Sequence, residues 1–252
     1  MSIRLLLFIL VCCTYTFAQE SQTVGTYSNS SKSDLKERRN EISIEFIGMI
    51  DGRFVPAYER TFGRHWSAKV GLGHKTKQGL INFSGINKEQ LKTGDINYDG
   101  ILTFLEGRYY LNEFVNGRAS GFYFGLYMKY AGFQSNIGGT YISEEGNSFT
   151  FLFDTSIGVI SSGLQLGYKL PLGRRFAVDF LIAGPGTARY SFDVKNKSDE
   201  LPQEFWDDLN NALDELGILE IIDSDFDFTP SNRKSAFNTI NFRYAVGLTF
   251  NF

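Results

Sequence analysis

Residues 240–252 read INFRYAVGLTFNF. Phe242, Tyr244, Val246, Leu248, Phe250 and Phe252 take every second place, with Asn241, Arg243, Ala245, Gly247, Thr249 and Asn251 between them. Successive side chains of a strand point to opposite faces, so this segment has one wholly apolar face and one small or polar face. Such a strand aggregates in water unless its apolar face is covered, and lipid would cover it as well as protein would.

The same alternation recurs upstream. Glu41–Ile50 places Ile42, Ile44, Phe46 and Ile50 against Ser43 and Glu45, and Asp51-Gly52 is a tight hairpin signal. Arg53–Phe62 returns, with Pro56 marking a strand end or bulge. After a turn at 63–65, Trp66, Ala68, Val70 and Leu72 alternate with Ser67 and Lys69. Ile101–Leu111 carries Glu106, Arg108 and Tyr110 on one face; Gly121–Phe133 sets Phe122, Phe124, Leu126 and Met128 against Tyr123, Tyr127 and Lys129. A sixth strand lies within Phe149–Leu170, and a seventh holds Phe176, Val178, Phe180 and Ile182. With Ile240–Phe252 this makes eight strands in four hairpins. The connections 63–65, 112–120 and 171–175 are short; those at 75–100, 134–146 and 191–238 are long and polar.

The pattern predicts an all-β fold, an eight-stranded antiparallel up-and-down transmembrane β-barrel over residues 41–252. Short turns on one side and long loops on the other are the asymmetry of membrane barrels. The faces agree with it. The apolar set points to lipid, and the opposite set holds Glu45, Glu59, Lys69, Glu106, Arg108, Lys129, Lys169, Asp179 and Arg243. A soluble barrel would reverse the faces, and an apolar interior would cost several kcal/mol for each unpaired ion. In a narrow polar interior these groups form a salt-bridge plug, because eight strands leave little more room than their own side chains fill. No open pore is expected.

Composition fits this reading. The 252 residues include 24 Phe, 13 Tyr and 26 Gly but only 5 Pro, which suits strands more than helices. A net charge of −3 offers nothing to a nucleic-acid partner. A mean hydropathy of −0.17 does not exclude a membrane, since a barrel turns only alternate residues to lipid.

Residues 1–18 have the pattern of a secretory signal: Arg4, an apolar run from Leu5 to Val11, and Thr16-Phe17-Ala18 at a cleavage point. Cys12 and Cys13 lie inside it, so the processed chain would hold no thiol chemistry. Neither cysteine follows the small residue that a lipoprotein signal wants. Residues 19–40 read as a flexible polar lead-in, with a short helix at Asp34–Arg39 as an option.

The chain resembles the small Gram-negative outer-membrane β-barrel proteins of the OmpA/OmpX-like superfamily. The resemblance rests on Tyr244, Val246, Leu248, Phe250 and Phe252, similar to the carboxy-terminal signal read by the barrel-assembly machinery. It rests also on Glu106-Gly107-Arg108-Tyr109-Tyr110 followed by the aromatic strand Gly121–Tyr130. It implies location in the cell outer membrane, with outer-membrane lipid and the assembly machinery as partners. An extracellular or envelope protein bound through the loops is a further partner to test. No peptidoglycan-binding domain follows the barrel, so an anchoring role is not implied.

Other motifs compete with plainer readings. Asp95, Asn97, Asp99, Gly100 and Glu106 fit the spacing of an EF-hand calcium loop. If Ile101–Leu111 is a strand, however, Glu106 lies about 20 Å from Asp99 along it and cannot close the cage. That leaves a weak Ca²⁺ site on Asp95, Asn97 and Asp99 as the only cofactor reading. Asp223, Asp225 and Asp227 form a second acidic cluster, read as a solvated loop. Phe205, Leu209, Ala212, Leu213 and Leu216 recur at helical spacing between Pro202 and Gly217. They predict a helix in the last long loop that folds onto the rim, caps the mouth or binds a partner.

His65 beside Trp66 reads as an interface residue, and His74 has no assignable Ser or acid partner. The expected role is therefore structural or loop-mediated binding. The alternatives are a barrel-embedded lipid-modifying enzyme and a soluble periplasmic ligand-binding barrel.

Overall fold

Alternating apolar residues need cross-strand partners, and in the computed structural model nearly every alternating segment finds two. Residues 38–77, 85–95, 97–198, 201–215, 229 and 233–252 are described. The expectations for residues 1–37, Leu216, Gly217, Asp223, Asp225 and Asp227 lie outside them. So does the side chain of Leu213.

The strands are β1 (Asn40–Glu45), β2 (Arg53–Phe54), β3 (Pro56–Phe62), β4 (Trp66–Lys75), β5 (Leu91–Thr93), β6 (Tyr98–Tyr110), β7 (Gly121–Ile142), β8 (Ser148–Leu172), β9 (Phe176–Asn196) and β10 (Arg233–Asn251). Two helices accompany them, α1 (Ile47–Ile50) and α2 (Gln203–Glu215). All pairings are antiparallel, and β4, β3, β1, β10, β9, β8, β7 and β6 follow one another in a closed cycle, with β6 returning to β4. No described helix is long and apolar enough to cross a membrane, which says nothing about strands.

One row of neighbours traces the closure. Leu172 faces Phe176, then Phe250, Ile42, Tyr58, Val70, Leu105 and Met128, one residue from each of the eight strands. Met128 then faces Ser162, so the row re-enters β8 ten residues from where it left. Taking about 3.3 Å per residue along a strand and about 4.8 Å between strands, the stagger tilts the strands by about 40°.

Several expected boundaries change. The first strand ends at Glu45, and Ile47–Ile50 forms a helical turn in place of the expected hairpin end. Amides of Asp51 and Gly52 donate to the carbonyls of Gly48 and Met49, and Gly52 takes φ 74° to lead the chain back. The polar stretch after Phe133 is not a loop. β7 runs on to Ile142, pairs with β8 throughout and turns only at 143–147. Likewise β9 reaches Asn196 and β10 starts at Arg233, inside the segment expected to be an insertion, while β5 and the start of β6 occupy part of 75–100. Gln134, Asn136 and Thr140 sit on the exposed face of β7. Their polarity records which way they point, and the backbone ladder decides that the segment is strand.

Four long strands therefore rise above four short ones. On their concave face Tyr141, Phe151, Phe153 and Val194 bury Phe205, Trp206, Leu209 and Ala212 of α2. The expected helix in the last long connection thus covers the extended part of its own sheet. At the opposite end, the 111–120 connection folds under the ring. Ala119 is buried against Tyr110 and Tyr123, and Arg118 donates to the carbonyls of Gly173 and Phe176.

Close approach inside the ring sets one local requirement. A Cβ on Gly167 would lie 2.2 Å from the Tyr123 ring and 2.6 Å from the Phe180 carbonyl, whereas one on Gly107 meets nothing within 4 Å. Gly167→Val should lower the free energy of unfolding by about 1–3 kcal/mol through overpacking. Gly107→Ala should stay within about 0.5 kcal/mol of the parent. Denaturant titration of the two variants checks the contrast.

Candidate functional site

The interior of the ring is lined by alternate residues of every strand, and those residues carry most of its charge. Glu59 of β3, Lys69 of β4, Glu106 and Arg108 of β6, Lys169 of β8 and Asp179 of β9 are all buried. Removing so many ions from water is unfavourable unless each finds a partner. They do so in one connected chain.

Lys169 Nζ lies 2.7 Å from Glu41 and 2.7 Å from Glu59. Arg108 reaches Glu59 at 3.4 Å, Asp179 at 2.7 Å and Glu106 at 2.6 Å. Lys69 joins Asp179 at 3.2 Å. Arg243 completes the path, 2.6 Å from Glu106 and 3.1 Å from Glu45. Neutral donors add to the partners of three of the carboxylates. Ser67 and Tyr110 hydroxyls donate to Glu59, the Tyr123 hydroxyl to Asp179 and the Gln165 amide to Glu106. The Arg108 guanidinium also stands 4.4 Å over the Tyr123 ring.

Eight of the nine charged residues expected inside the ring thus meet in this chain. The ninth, Lys129, has the same inward parity on β7 but makes no ion pair within 4.0 Å among the described residues. Sequence reading missed Glu41, which lies on the same face of β1 as Ser43 and Glu45 and is fully buried. Its parity was the available signal. With it, the chain holds five carboxylates and four cations, and Lys129 stands outside it as a fifth cation.

Above the ion chain the interior changes character. Val55, Ala57 and Phe104 form a small apolar cluster. Next to it is a cavity of about 360 Å³ whose walls include Val55, Leu102, Phe104, Lys129, Ala131 and Val159. Higher still the α2 cluster begins. There the Tyr141 hydroxyl donates to Asp208 at 2.8 Å. Burial first, and then this hydrogen bond, hold the Tyr141 phenol above its ordinary value of 10.0.

The remaining motifs lie apart from the ion chain, except for Glu106. Asp99 lies within β6 and pairs with Lys77 at 3.6 Å, while Glu106 is committed to Arg108 and Arg243. The twelve-residue EF-hand loop is therefore not formed, and the Asn97 amide instead turns to the Asp95 carbonyl at 3.4 Å. No group of three His, Cys, Asp or Glu side chains placed to hold a metal ion occurs among the described residues. His65 stacks on Tyr109 and its Nδ1 lies 2.8 Å from the Tyr110 carbonyl oxygen. His74 is exposed on the outer face of β4, opposite Phe54 and Ile101. Tyr244, Leu248 and Phe252, read from sequence as part of an assembly signal, are exposed on the outer face of β10, with Val246 and Phe250 half-buried beside them.

Arg108→Met should cost about 3–5 kcal/mol of stability, because it leaves Glu59, Glu106 and Asp179 buried without their shared cation. Arg108→Lys should recover only part of it, since a point charge cannot replace a planar fork that serves three carboxylates. Denaturant unfolding at pH 7 reads both.

A second expectation concerns α2. Because folding raises the Tyr141 pKa, its contribution is complete below about pH 10 and is lost as the pH climbs further. In a Trp66→Phe background, Trp206 emission should shift to the red above pH 10, and Tyr141→Phe should remove that alkaline step. Comparison with known proteins finds no family model, no curated protein and no solved structure that matches this chain.

Proposed function

We propose that this chain is a transmembrane β-barrel of the outer membrane, with a structural role or one of binding through its extended far end, and with no open pore. One observation carries the reading. The apolar row from Leu172 through Met128 encircles the ring, while the opposite face of the same strands holds the ion chain. Val70, Leu72, Leu105, Leu126, Met128, Ile160 and Leu164 are all exposed, Leu72 by 66% and Leu126 by 64%.

Water-soluble monomers rarely expose contiguous apolar patches beyond a few hundred Å². A belt round the whole circumference is what hydrocarbon would cover, and a closed antiparallel ring satisfies its backbone without water. A strand of ten residues, tilted by about 40°, rises about 25 Å, close to the apolar band of membrane barrels. The ion chain and the folded-under 111–120 connection fill the near end, which supports a plugged interior. The polar outer faces of β7–β10 beyond the belt would stand in water, where a partner could reach them.

The protein should sediment with outer membranes, need detergent for extraction and migrate differently on gels with and without boiling. Purified and added to planar bilayers, it should produce no stepwise conductance. Recovery in the osmotic-shock fluid, monomeric without detergent, would instead favour the soluble ligand-binding barrel and end the membrane reading.

A further inference from the structure

The wall of the ring is uneven. β10 pairs with β9 along its length, but with β1 only from Gly247 to Asn251. The Phe46 amide adds one bond to the Val246 carbonyl, and then the chain leaves as α1. Among the described residues, Arg233–Ala245 has no strand on its second edge. An unpaired edge beside a closed wall leaves a side opening.

The 360 Å³ cavity runs through that opening. Its walls include Ile47 and Gly48 of α1 on one side and Phe242 and Tyr244 of β10 on the other. Phe242 and Tyr244 point away from the ring and are 59% and 62% exposed, yet they line the same space as the inward Lys129 and Ala131. A cavity bounded by both faces of one sheet must pass its edge. It connects the apolar outside with the interior directly above the ion chain.

Its chemistry is amphiphilic. Val55, Leu102, Phe104, Ala131 and Val159 make apolar walls, and three cations line it against one carboxylate, Glu45. Two of those cations are occupied. Arg53 pairs with Asp51 at 3.2 Å, and Arg243 with Glu45 and Glu106. Lys129 is the one without an ion pair among the described residues. A single free ammonium in a partly apolar cavity matches a monoanion; a dianion would leave charge uncompensated. A methylene occupies about the volume of a water molecule, about 30 Å³, so the cavity holds about a dozen such groups. That admits one short chain.

We propose that the cavity between α1 and β10 binds one single-chain fatty carboxylate from the surrounding lipid, with its carboxylate on Lys129 and its chain along Val55, Leu102, Ala131 and Val159. The supply of ligand from lipid rests on the membrane reading; the site itself does not. Lys129 acts as a point charge, and the side opening lets the ligand enter without crossing the plug.

The test uses the full chain, reconstituted in nanodiscs of zwitterionic lipid, with ¹³C-carboxyl decanoate as probe and decyltrimethylammonium as the cationic control. Decanoate should bind saturably, one per chain, and the cationic control should not compete. Lys129→Gln should weaken decanoate at least ten-fold, Lys129→Arg should restore most of it, and Ala131→Trp should abolish it by filling the cavity. Each variant is first checked for the gel mobility of the folded parent. Unchanged affinity in Lys129→Gln, or equal competition by both amphiphiles, overturns the assignment. Insertion into nanodiscs without saturable decanoate binding overturns it too and leaves the membrane reading intact. A detergent-free soluble monomer that binds decanoate through Lys129 would end the membrane reading and uphold the site.

Discussion

Arg108 holds the interior together. Its guanidinium touches Glu59, Glu106 and Asp179, three carboxylates from three different strands, all inside a ring too narrow to hydrate them freely. Each ion there loses its water, and only pairing offsets that loss. The chain that runs from Glu41 through Arg108 to Glu45 is therefore a constraint on register. If β6 slipped by one residue against β7, Glu106 and Arg108 would face outward with every other side chain of the strand. The apolar belt would turn inward at the same step. A single pairing pattern thus decides both surfaces, and neither can be satisfied without the other.

The uneven lengths of the strands follow from the same bookkeeping of backbone partners. β1, β3 and β4 stop early, while β7–β10 continue well above them. The surplus length cannot close into a ring, since nothing stands opposite it. It forms an open curved sheet instead, whose concave apolar residues need a cover. α2 supplies it with Phe205 and Trp206 on Phe151 and Phe153. At the lower margin of that sheet, where α1 replaces strand, the side opening appears. The plug below, the cavity at the opening and the helical cover above are consequences of one mismatch in length.

Much of the outer surface was legible because alternation is local. Phe122 to Met128, or Tyr244 to Leu248, reveal two faces from seven or five residues, and parity alone placed eight members of the ion chain on one side. Glu41 shares the face of Ser43 and Glu45, so the same parity carries it into the ion chain. The strand ends were less legible. Gln134–Thr140 and Ser191–Asn196 look like loop because their exposed residues are polar, but those residues face water on strands that are paired throughout. The EF-hand spacing misled in the opposite way. A motif defined along the chain lost its meaning once Glu106 turned toward Arg108 on an extended strand.

By itself, then, the amino-acid order determined which residues share a face, that the strands pair as antiparallel neighbours and that a helix lies in the last connection. Those properties depend on side chains two to four positions apart. Tertiary structure alone decided which charges meet, that Arg243 lies beside Glu45 across 198 positions, and that Lys129 is left over beside a cavity. These depend on the ten-residue stagger accumulated in one circuit of the ring, from Leu172 back to Ser162. That stagger is a property of the closed ring, and no short segment carries it.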